Sequence, residues 1–254
     1  MLPLQYCIDF LTTLRSFGKT GVMEKSPPTK LETALLKPFI GLPLNRIFVP
    51  ATFGQFSDAF CEIQDSRFVG FDTESRPTFT KGRISDGPHI VQFATLDKAF
   101  IFQLHRPECY PFLREILESK DIVKVGFGLN VDQGQMRRRF RVHLRSILDL
   151  DIIFRKDGYC TTIGVRAAIG LLLNQQFHKS RRVTISNWAM HDLSSTQLLY
   201  AANDAYSALR VLIALESQRP YKILPIADLT YRHGRPKSKR SFPSPEISTL
   251  QSEN

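Results

Sequence analysis

The sequence lacks several patterns that mark common classes of protein. Its four cysteines stand far apart and form no C-x-x-C pair, so the usual zinc and thiol redox motifs are excluded. Its six histidines show no metal-ligand spacing. No apolar run approaches the roughly 20 residues of a membrane helix, and the first residues make a poor signal peptide. We therefore expect a soluble, cytoplasmic protein with no membrane partner and no obligate protein partner.

Acidic residues are the scarcer class of charge. The chain has 24 Asp and Glu against 34 Lys and Arg, which gives a formal net charge of +10. This balance favours a polyanionic partner such as nucleic acid. A basic surface without a specific role would give the same count, because net charge concerns association rather than fold. With 43% hydrophobic residues, the chain can bury a substantial core.

The chain also lacks a Gly/Ser linker and an internal repeat, which indicates one main domain. Residues 1–45 carry turn-forming prolines and are predicted to be an N-terminal extension. Residues 46–217 are predicted to form the domain. Residues 218–254 are basic and poor in apolar residues, which predicts a disordered tail.

Hydrophobic periodicity predicts an α/β domain. Apolar and alternating runs predict strands over residues 67–73, 90–95, 98–104, 122–127 and 146–150. Helical spacing predicts helices over residues 30–36, 107–119, 131–140, 162–173 and 195–215. The second and third strands form a hairpin around Leu96-Asp97, and the later strands alternate with helices. We therefore expect a mixed sheet with helices on both faces.

Two carboxylates close the first predicted strand of this domain. Asp72 and Glu74 follow the apolar run Val69-Gly70-Phe71, and the two-residue period of a strand puts both on one face. Like charges on a central strand are costly unless a cation holds them. Ordinary solvated acids at an exposed strand end are the alternative, and a lone D-x-E pattern would favour that alternative.

Further acidic residues follow at two later places. Asp132 lies in the first turn of a predicted helix, with Asn130 as a candidate cap, at the rim where open α/β sheets place their sites. It could equally complement the helix dipole. Tyr200 and Asp204 are four residues apart and share one face of a later helix. A surface tyrosine beside a solvated aspartate would give the same pattern.

Together these residues predict a catalytic site. Its members are Asp72, Glu74, Asp132, Tyr200 and Asp204. The four carboxylates can hold two divalent cations for in-line displacement at a phosphodiester, and their hard oxygen ligands suit Mg²⁺ or Mn²⁺. The Tyr200 hydroxyl group would orient the attacking water by a hydrogen bond.

The order D-x-E, N-x-D and Y-x-x-x-D resembles that of the DEDDy exonucleases, the superfamily of ribonuclease D and the Werner-syndrome exonuclease domain. The segment Ser186-Asn187-Trp188 is similar to the Werner-type branch, and Leu199 stands where the sister DEDDh group has histidine. The resemblance covers about residues 45–216. It implies a ribonuclease H-like sheet and hydrolysis of RNA or DNA from the 3′ end to nucleoside 5′-monophosphates.

Four basic residues near these motifs are candidates for contact with a nucleic-acid strand: Arg137, Lys179, Arg181 and Arg182. Solvated charges explain them about as well. Two other functions stay open at this point. One is a single-stranded nucleic-acid-binding module without turnover, and the other is an enzyme restricted to very short oligonucleotides.

Overall fold

A computed structural model of the protein describes residues 25–78 and 86–218. The start of the predicted N-terminal extension and the predicted basic tail from residue 219 onward lie outside the described residues. The strands that it describes are β1 (Lys37–Pro38), β2 (Ile47–Phe48), β3 (Phe68–Glu74), β4 (Ile90–Ala94), β5 (Ala99–Gln103), β6 (Val123–Gly126), β7 (Ile147–Asp149) and β8 (Gln175–Gln176). The helices are α1 (Lys30–Ala34), α2 (Phe53–Gln64), α3 (Tyr110–Glu118), α4 (Asn130–Phe140), α5 (Leu150–Lys156), α6 (Val165–Leu173), α7 (Arg181–Thr184) and α8 (Ser195–Gln218).

Six of these strands form one mixed sheet in the order β2-β5-β4-β3-β6-β7. The predicted hairpin is present, because β4 pairs antiparallel with β5 on one side and with β3 on the other. Strand β6 pairs parallel with both β3 and β7. The prediction of a mixed α/β sheet flanked by helices is therefore confirmed, and β3 lies near its centre.

The two faces of the sheet pack against different kinds of side chain. One face meets α2, α3 and α4 through a cluster rich in phenylalanine: Phe56, Phe60, Phe71, Phe93, Phe100, Phe102 and Phe112. The other face meets α8, and close to β4 and β5 that contact is rich in alanines, which pack there with Ile90 and Ile101: Ala94, Ala99, Ala201, Ala202 and Ala205. Aromatic side chains bury the larger area, whereas alanines let a helix approach the sheet closely.

Helix α8 is the long core helix of the fold. Its length and composition would also suit a membrane span, but 67% of its most apolar window is buried within the protein. Buried residues occur on most of its circumference, among them Ala201, Ala205, Leu209 and Leu212. A helix that is apolar nearly all round belongs in a protein core, so α8 is explained by its packing on the sheet and α6.

The helix α2 lies outside the elements that the sequence analysis predicts. It begins with a capping box in which Thr52 accepts a hydrogen bond from the Gln55 N–H and Gln55 reaches back to the Thr52 N–H. The T-x-x-Q pattern is a recognised start signal for a helix. That local signal would have located α2 from the sequence.

Two predicted details of the helices are wrong. Helix α6 begins at Val165 rather than Thr162, because the N–H of Ile163 donates to Asp151 at 2.8 Å and Thr162 accepts from Arg155 at 3.0 Å. These tertiary contacts hold the preceding turn outside the helix. Asn130 is not a cap, since it is already helical and the N-cap residue Leu129 makes no side-chain cap bond.

The described part of the first 45 residues contacts the rest of the fold. Strand β1 pairs with β8, and Arg166 donates to the Thr33 hydroxyl group at 3.0 Å. The Leu42 N–H donates to the Asn203 side chain at 2.7 Å. These contacts attach the segment beside α8, close to the predicted site.

Candidate active site

The first two predicted site residues lie at the end of β3. Along this strand Val69 and Phe71 enter the phenylalanine-rich core, so Asp72 and Glu74 alternate with Thr73 as the period of a strand requires. Both carboxylate side chains are on the α8 side and are half-buried. The Thr73 N–H donates to Asp72 at 2.9 Å, which helps to fix that carboxylate.

Asp132 comes from the turn between β6 and α4. Asp149 at the end of β7 holds this turn, because its two carboxylate oxygens accept from the N–H groups of Gly128 and Leu129, each at 3.0 Å. Asp149 therefore fixes the turn that leads into α4. The hydroxyl group of Thr73 donates to Asp132, and this bond ties the start of α4 to the end of β3.

Asp204 is placed by close contact between α8 and its neighbours. A side chain on Gly70 would collide with the carbonyl oxygen of Ala205, so only glycine lets the backbone of α8 pass so near β3. A side chain on Gly41 would likewise collide with Asn203. Asn203 and Ala205, the residues on either side of Asp204, therefore both lie against a glycine. These two contacts fix the position of Asp204 in the site.

Three of the predicted carboxylates converge. Ligand oxygens of Asp72, Glu74 and Asp204 all lie within 4.8 Å of one another, and we call these three residues the carboxylate cluster. Asp132 is not a member of this tight group but is close enough to raise the pKa of Asp72 by its charge. The structure thus brings the four acidic residues to one rim of the sheet, with Asp72 near all the others.

The carboxylate cluster is electrostatically strained. Burial, followed by the charges of Asp132 and Asp204, raises the pKa of Asp72 well above its usual value. Burial and the charges of Asp72 and Asp204 raise the pKa of Glu74 to about 9. Burial also raises the pKa of Asp132 and of Asp204. Buried like charges of this kind either take up protons or need cations that compensate them.

These residues fit a divalent cation. The Asp204 side chain is only 2% exposed, and its Oδ1 atom has no hydrogen-bond partner among the described residues. A buried carboxylate oxygen without a partner costs free energy, and a bound cation would remove that cost. The donor set consists of hard carboxylate oxygens, which Mg²⁺ and Mn²⁺ prefer.

Tyr200 lies one helical turn before Asp204 on α8. Its hydroxyl group is 2.7 Å from that of Thr184 in α7, and its ring packs on Trp188 with centroids 5.8 Å apart. Burial, followed by the charge of Asp204, raises the pKa of Tyr200, so the phenol stays protonated at neutral pH. Trp188 itself is 1% exposed and donates to the Thr184 carbonyl, so it is a packing residue.

The structure separates the four basic candidates. Lys179 enters the site, where its ammonium nitrogen lies 2.8 Å from Asp204 Oδ2 and 5.4 Å from the centre of the Tyr200 ring. Arg181 and Arg182 are exposed on α7, and Arg137 is exposed on the last turn of α4. These three arginines take part in none of the ion pairs found among the described residues.

The buried Gln92 is a residue near the site that sequence analysis missed. It lies directly opposite Asp72 across the β3–β4 ladder and is completely buried. Neither its amide nitrogen nor its amide oxygen has a hydrogen-bond partner among the described residues. A polar residue inside the otherwise apolar strand Ile90–Ala94 was the available sequence signal, because buried amides usually need a partner.

A cleft of about 490 Å³ opens beside the carboxylate cluster. Asp72, Asp204 and Lys179 line it together with Phe127 and with Arg166 at the start of α6. Clefts of several hundred Å³ hold small ligands in other proteins. The carboxylates are therefore open to a molecule of about the size of a nucleotide.

Comparisons with known proteins agree with this geometry. The chain is 32% identical over 154 residues to the bifunctional 3′-5′ exonuclease/ATP-dependent helicase WRN of Mus musculus, covering 60% of this chain and 11% of that protein. It is 32% identical over 146 residues to a 3′-5′ exonuclease of Arabidopsis thaliana, covering 56% of this chain and 50% of that protein. The chain thus spans half or less of the length of these relatives.

The fold also matches a solved structure. The EXO domain of Aedes aegypti Nibbler superposes with a TM-score of 0.61 at 23% identity, over 70% of this chain and 91% of that domain. This likeness supports the fold alone. At the level of sequence, a family model described as 3′-5′ exonuclease matches residues 50–219, a range that contains every predicted site residue. The chain therefore belongs to the 3′-5′ exonuclease family.

Proposed function

We propose that this chain removes nucleotides from the 3′ end of a nucleic acid by metal-dependent hydrolysis and releases nucleoside 5′-monophosphates. The observation that carries the proposal is the carboxylate cluster, whose ligand oxygens from β3 and α8 lie within 4.8 Å of one another. A purely structural role is a poor explanation, because buried like charges without a cation destabilise a fold. The chain belongs to the 3′-5′ exonuclease family, and this membership supports 3′-5′ hydrolysis as the reaction at this site.

We propose that the site takes two divalent cations, Mg²⁺ or Mn²⁺, and that Asp72 is shared between them. The charges of Asp132 and Asp204 both raise the pKa of Asp72, which supports a position near each of them. Glu74 and Asp204 would complete one set of ligands, and Asp132 would belong to the other. Such cations activate the attacking water and stabilise the leaving oxygen.

The other predicted site residues would act on the water and the strand. Tyr200 stays protonated and is held by Thr184, so its hydroxyl group can orient the attacking water from the face of α8 that also carries Asp204. The exposed Arg181, Arg182 and Arg137 would contact backbone phosphates of the strand. The cleft beside the cluster would receive the terminal nucleotide.

We also propose that residues 46–217 form the catalytic domain, since the family match covers residues 50–219. Residues 1–45 would be an extension whose described part docks beside α8, and residues 218–254 a basic tail. A cytoplasmic location remains a prediction from the sequence. Imaging of the tagged protein in cells would check that location. Limited proteolysis would check the proposed domain boundaries at residues 46 and 217.

The experiment that tests the proposal uses 5′-labelled single-stranded RNA, single-stranded DNA, a recessed duplex and a dinucleotide, each with Mg²⁺, Mn²⁺ or EDTA. Asp72→Asn is the inactive variant. Asp58→Asn is its matched control, because Asp58 is an exposed aspartate on α2, across the sheet from the site. We expect a metal-dependent ladder that shortens from the 3′ end, unchanged in Asp58→Asn and absent in Asp72→Asn.

The alternatives predict other patterns in the same experiment. Salt-dependent binding of strands with no product on any substrate would indicate a binding module and would overturn the proposal. Cleavage of the dinucleotide alone would indicate an enzyme for very short oligonucleotides. The choice between RNA and DNA depends on contacts to the 2′ position of the sugar, and relative rates on the two strands would measure it.

A further inference from the structure

The carboxylate cluster already contains a cation that belongs to the protein. The Lys179 ammonium nitrogen is 2.8 Å from Asp204 Oδ2, although 38% of the lysine side chain is exposed. The side chain therefore starts at the surface and ends against a carboxylate that is itself 2% exposed. Of the ion pairs in the described part of the chain, this is the one that involves a carboxylate of the cluster.

The backbone around Lys179 is anchored on both sides, so the side chain is what extends into the site. Phe177 before it is buried and packs on Phe39, with ring centroids 5.5 Å apart. Val183 after it is buried in α7, which is joined to α8 by the contact between Thr184 and Tyr200. Arg181 and Arg182 of the same segment remain exposed.

The position of the ammonium group conflicts with a bound metal ion. Mg²⁺ requires carboxylate oxygens at about 2.0 to 2.1 Å, so an ion bound to Asp204 Oδ1 would lie close to the ammonium group that contacts Oδ2 of the same carboxylate. Two cations at that short distance in a buried site repel each other strongly. Lys179 has a flexible stem of four carbons and a partly exposed side chain, so it is able to withdraw.

We infer that Lys179 is a resident counter-ion that compensates the metal-free carboxylate cluster and leaves Asp204 when a divalent cation binds. The inference rests on the proposed function, since it concerns the metal site of that reaction. Once released, the ammonium group stays beside the cleft that Lys179 lines, where it can pair with a backbone phosphate. Metal binding and strand binding are then coupled through one side chain, and each strengthens the other.

Lys179 then competes with the metal ion for Asp204, and this competition can be measured without turnover. Lys179→Met keeps the approximate length of the side chain and removes its charge. Lys120→Met is the matched control, because it removes one charge from an exposed lysine just before β6, at the end of that strand away from the carboxylate cluster. Calorimetric titration with Mn²⁺ in the absence of nucleic acid gives the metal affinity of each protein. Thermal unfolding in EDTA and in Mn²⁺ gives the stability of each state.

We expect Lys179→Met to bind Mn²⁺ about fivefold or more tightly than the wild type, which is the lower end of typical coupling between sites. In EDTA the same variant should unfold at a lower temperature, because its carboxylates have lost their cation. The rise in unfolding temperature on adding Mn²⁺ should therefore be larger than in the wild type. Lys120→Met should match the wild type in both measurements.

Strand binding provides the second readout. A 3′-terminal phosphorothioate oligonucleotide, which resists hydrolysis, is titrated in EDTA and in Mn²⁺. Addition of Mn²⁺ should tighten binding in the wild type and in Lys120→Met, and this gain should shrink in Lys179→Met. A gain of the same size in all three proteins would contradict the coupling.

The outcomes separate this inference from the proposed function. If Lys179→Met folds, as judged by circular dichroism, and binds Mn²⁺ with equal or weaker affinity than the wild type, then Lys179 does not compete and the inference fails alone. If the wild type and both variants bind no Mn²⁺, the metal site itself is wrong, and the proposed function fails with the inference.

Discussion

The two faces of the sheet differ in what they contribute to the protein. On one face, phenylalanines from β3, β4, β5, α2 and α3 pack into a dry core. On the other face, alanines of α8 bring a helix that carries Asp204 against the strand that carries Asp72 and Glu74. One face of the sheet therefore contributes mainly to stability and the other to chemistry, so substitutions on the two faces should have different consequences.

The largest expected effect falls on the α8 face. Asp204→Asn keeps the size of the side chain but removes a charge from the carboxylate cluster. We expect the rate of 3′ cleavage to fall by about 10³-fold or more, which corresponds to about 4 kcal/mol of transition-state stabilisation, while the fold remains intact. Initial rates in Mn²⁺ together with circular dichroism would check this, and a variant with more than a tenth of wild-type activity would contradict it.

The phenylalanine-rich face should show the opposite behaviour. Phe102 is fully buried between β4 and α2, so Phe102→Ala should lower the free energy of unfolding by about 3 to 5 kcal/mol through lost burial and a cavity. Urea unfolding would measure this. At a temperature where the variant remains folded, its cleavage rate should stay near that of the wild type. A large loss of rate in the folded variant would show that the faces are not separable.

A pair of glycine substitutions tests the close approach of α8. In Gly70→Ala the new methyl group collides with the backbone of Ala205, so α8 has to move. A shift of about 1 Å is enough to cost about 10²-fold in rate, and the strain should cost about 1 to 3 kcal/mol of stability.

Gly54→Ala is the matched control, because a methyl group on Gly54 meets nothing within 4 Å. Gly54 lies within α2, where alanine is the better helix former by about 0.5 to 1 kcal/mol. We expect this variant to be slightly more stable and equally active. Equal rates for both glycine variants would show that the approach of α8 does not set the geometry of the site.

The last prediction concerns the pH dependence of stability in the metal-free protein. The pKa of Glu74 is raised to about 9 in the fold by burial and by its acidic neighbours, whereas the unfolded chain has an ordinary glutamate. The folded state therefore holds an extra proton between pH 4.5 and pH 9, and stability falls as the pH rises through that range.

Thermal unfolding in EDTA from pH 5 to pH 9 would measure this slope. Glu74→Gln should flatten it, because glutamine does not titrate, and Mn²⁺ should also flatten it in the wild type by compensating the carboxylates. A wild-type stability that rises over the same range in EDTA would contradict the electrostatic description of the cluster.

The sequence predicted the parts of the site that depend on local periodicity. Asp72 and Glu74 follow from the alternation of a strand, and Tyr200 and Asp204 follow from the spacing of a helix. The mixed sheet follows from the order of apolar segments. Each of these inferences uses residues close together in the chain, so the three-dimensional packing was not needed to draw it.

The missed features depend on contacts between distant segments. In the sequence, Lys179 is one of four basic candidates with nothing to distinguish it. The packing of Phe177 and α7 brings its ammonium group to Asp204. Asn130 satisfied the local rule for a cap, but Asp149 from another strand holds that turn. The polar Gln92 stands out within its apolar strand in the sequence, but its position opposite Asp72 depends on the pairing of β4 with β3.

A crystal structure of the protein with Mn²⁺ and a nucleoside 5′-monophosphate, with anomalous data, would show directly whether the four carboxylates bind two metal ions. We expect two anomalous peaks at the rim of the sheet, one held by Asp72, Glu74 and Asp204 and the other by Asp72 and Asp132. The Lys179 ammonium group should then be withdrawn from Asp204. A site without manganese at saturating concentration, with Lys179 still paired to Asp204, would contradict this expectation.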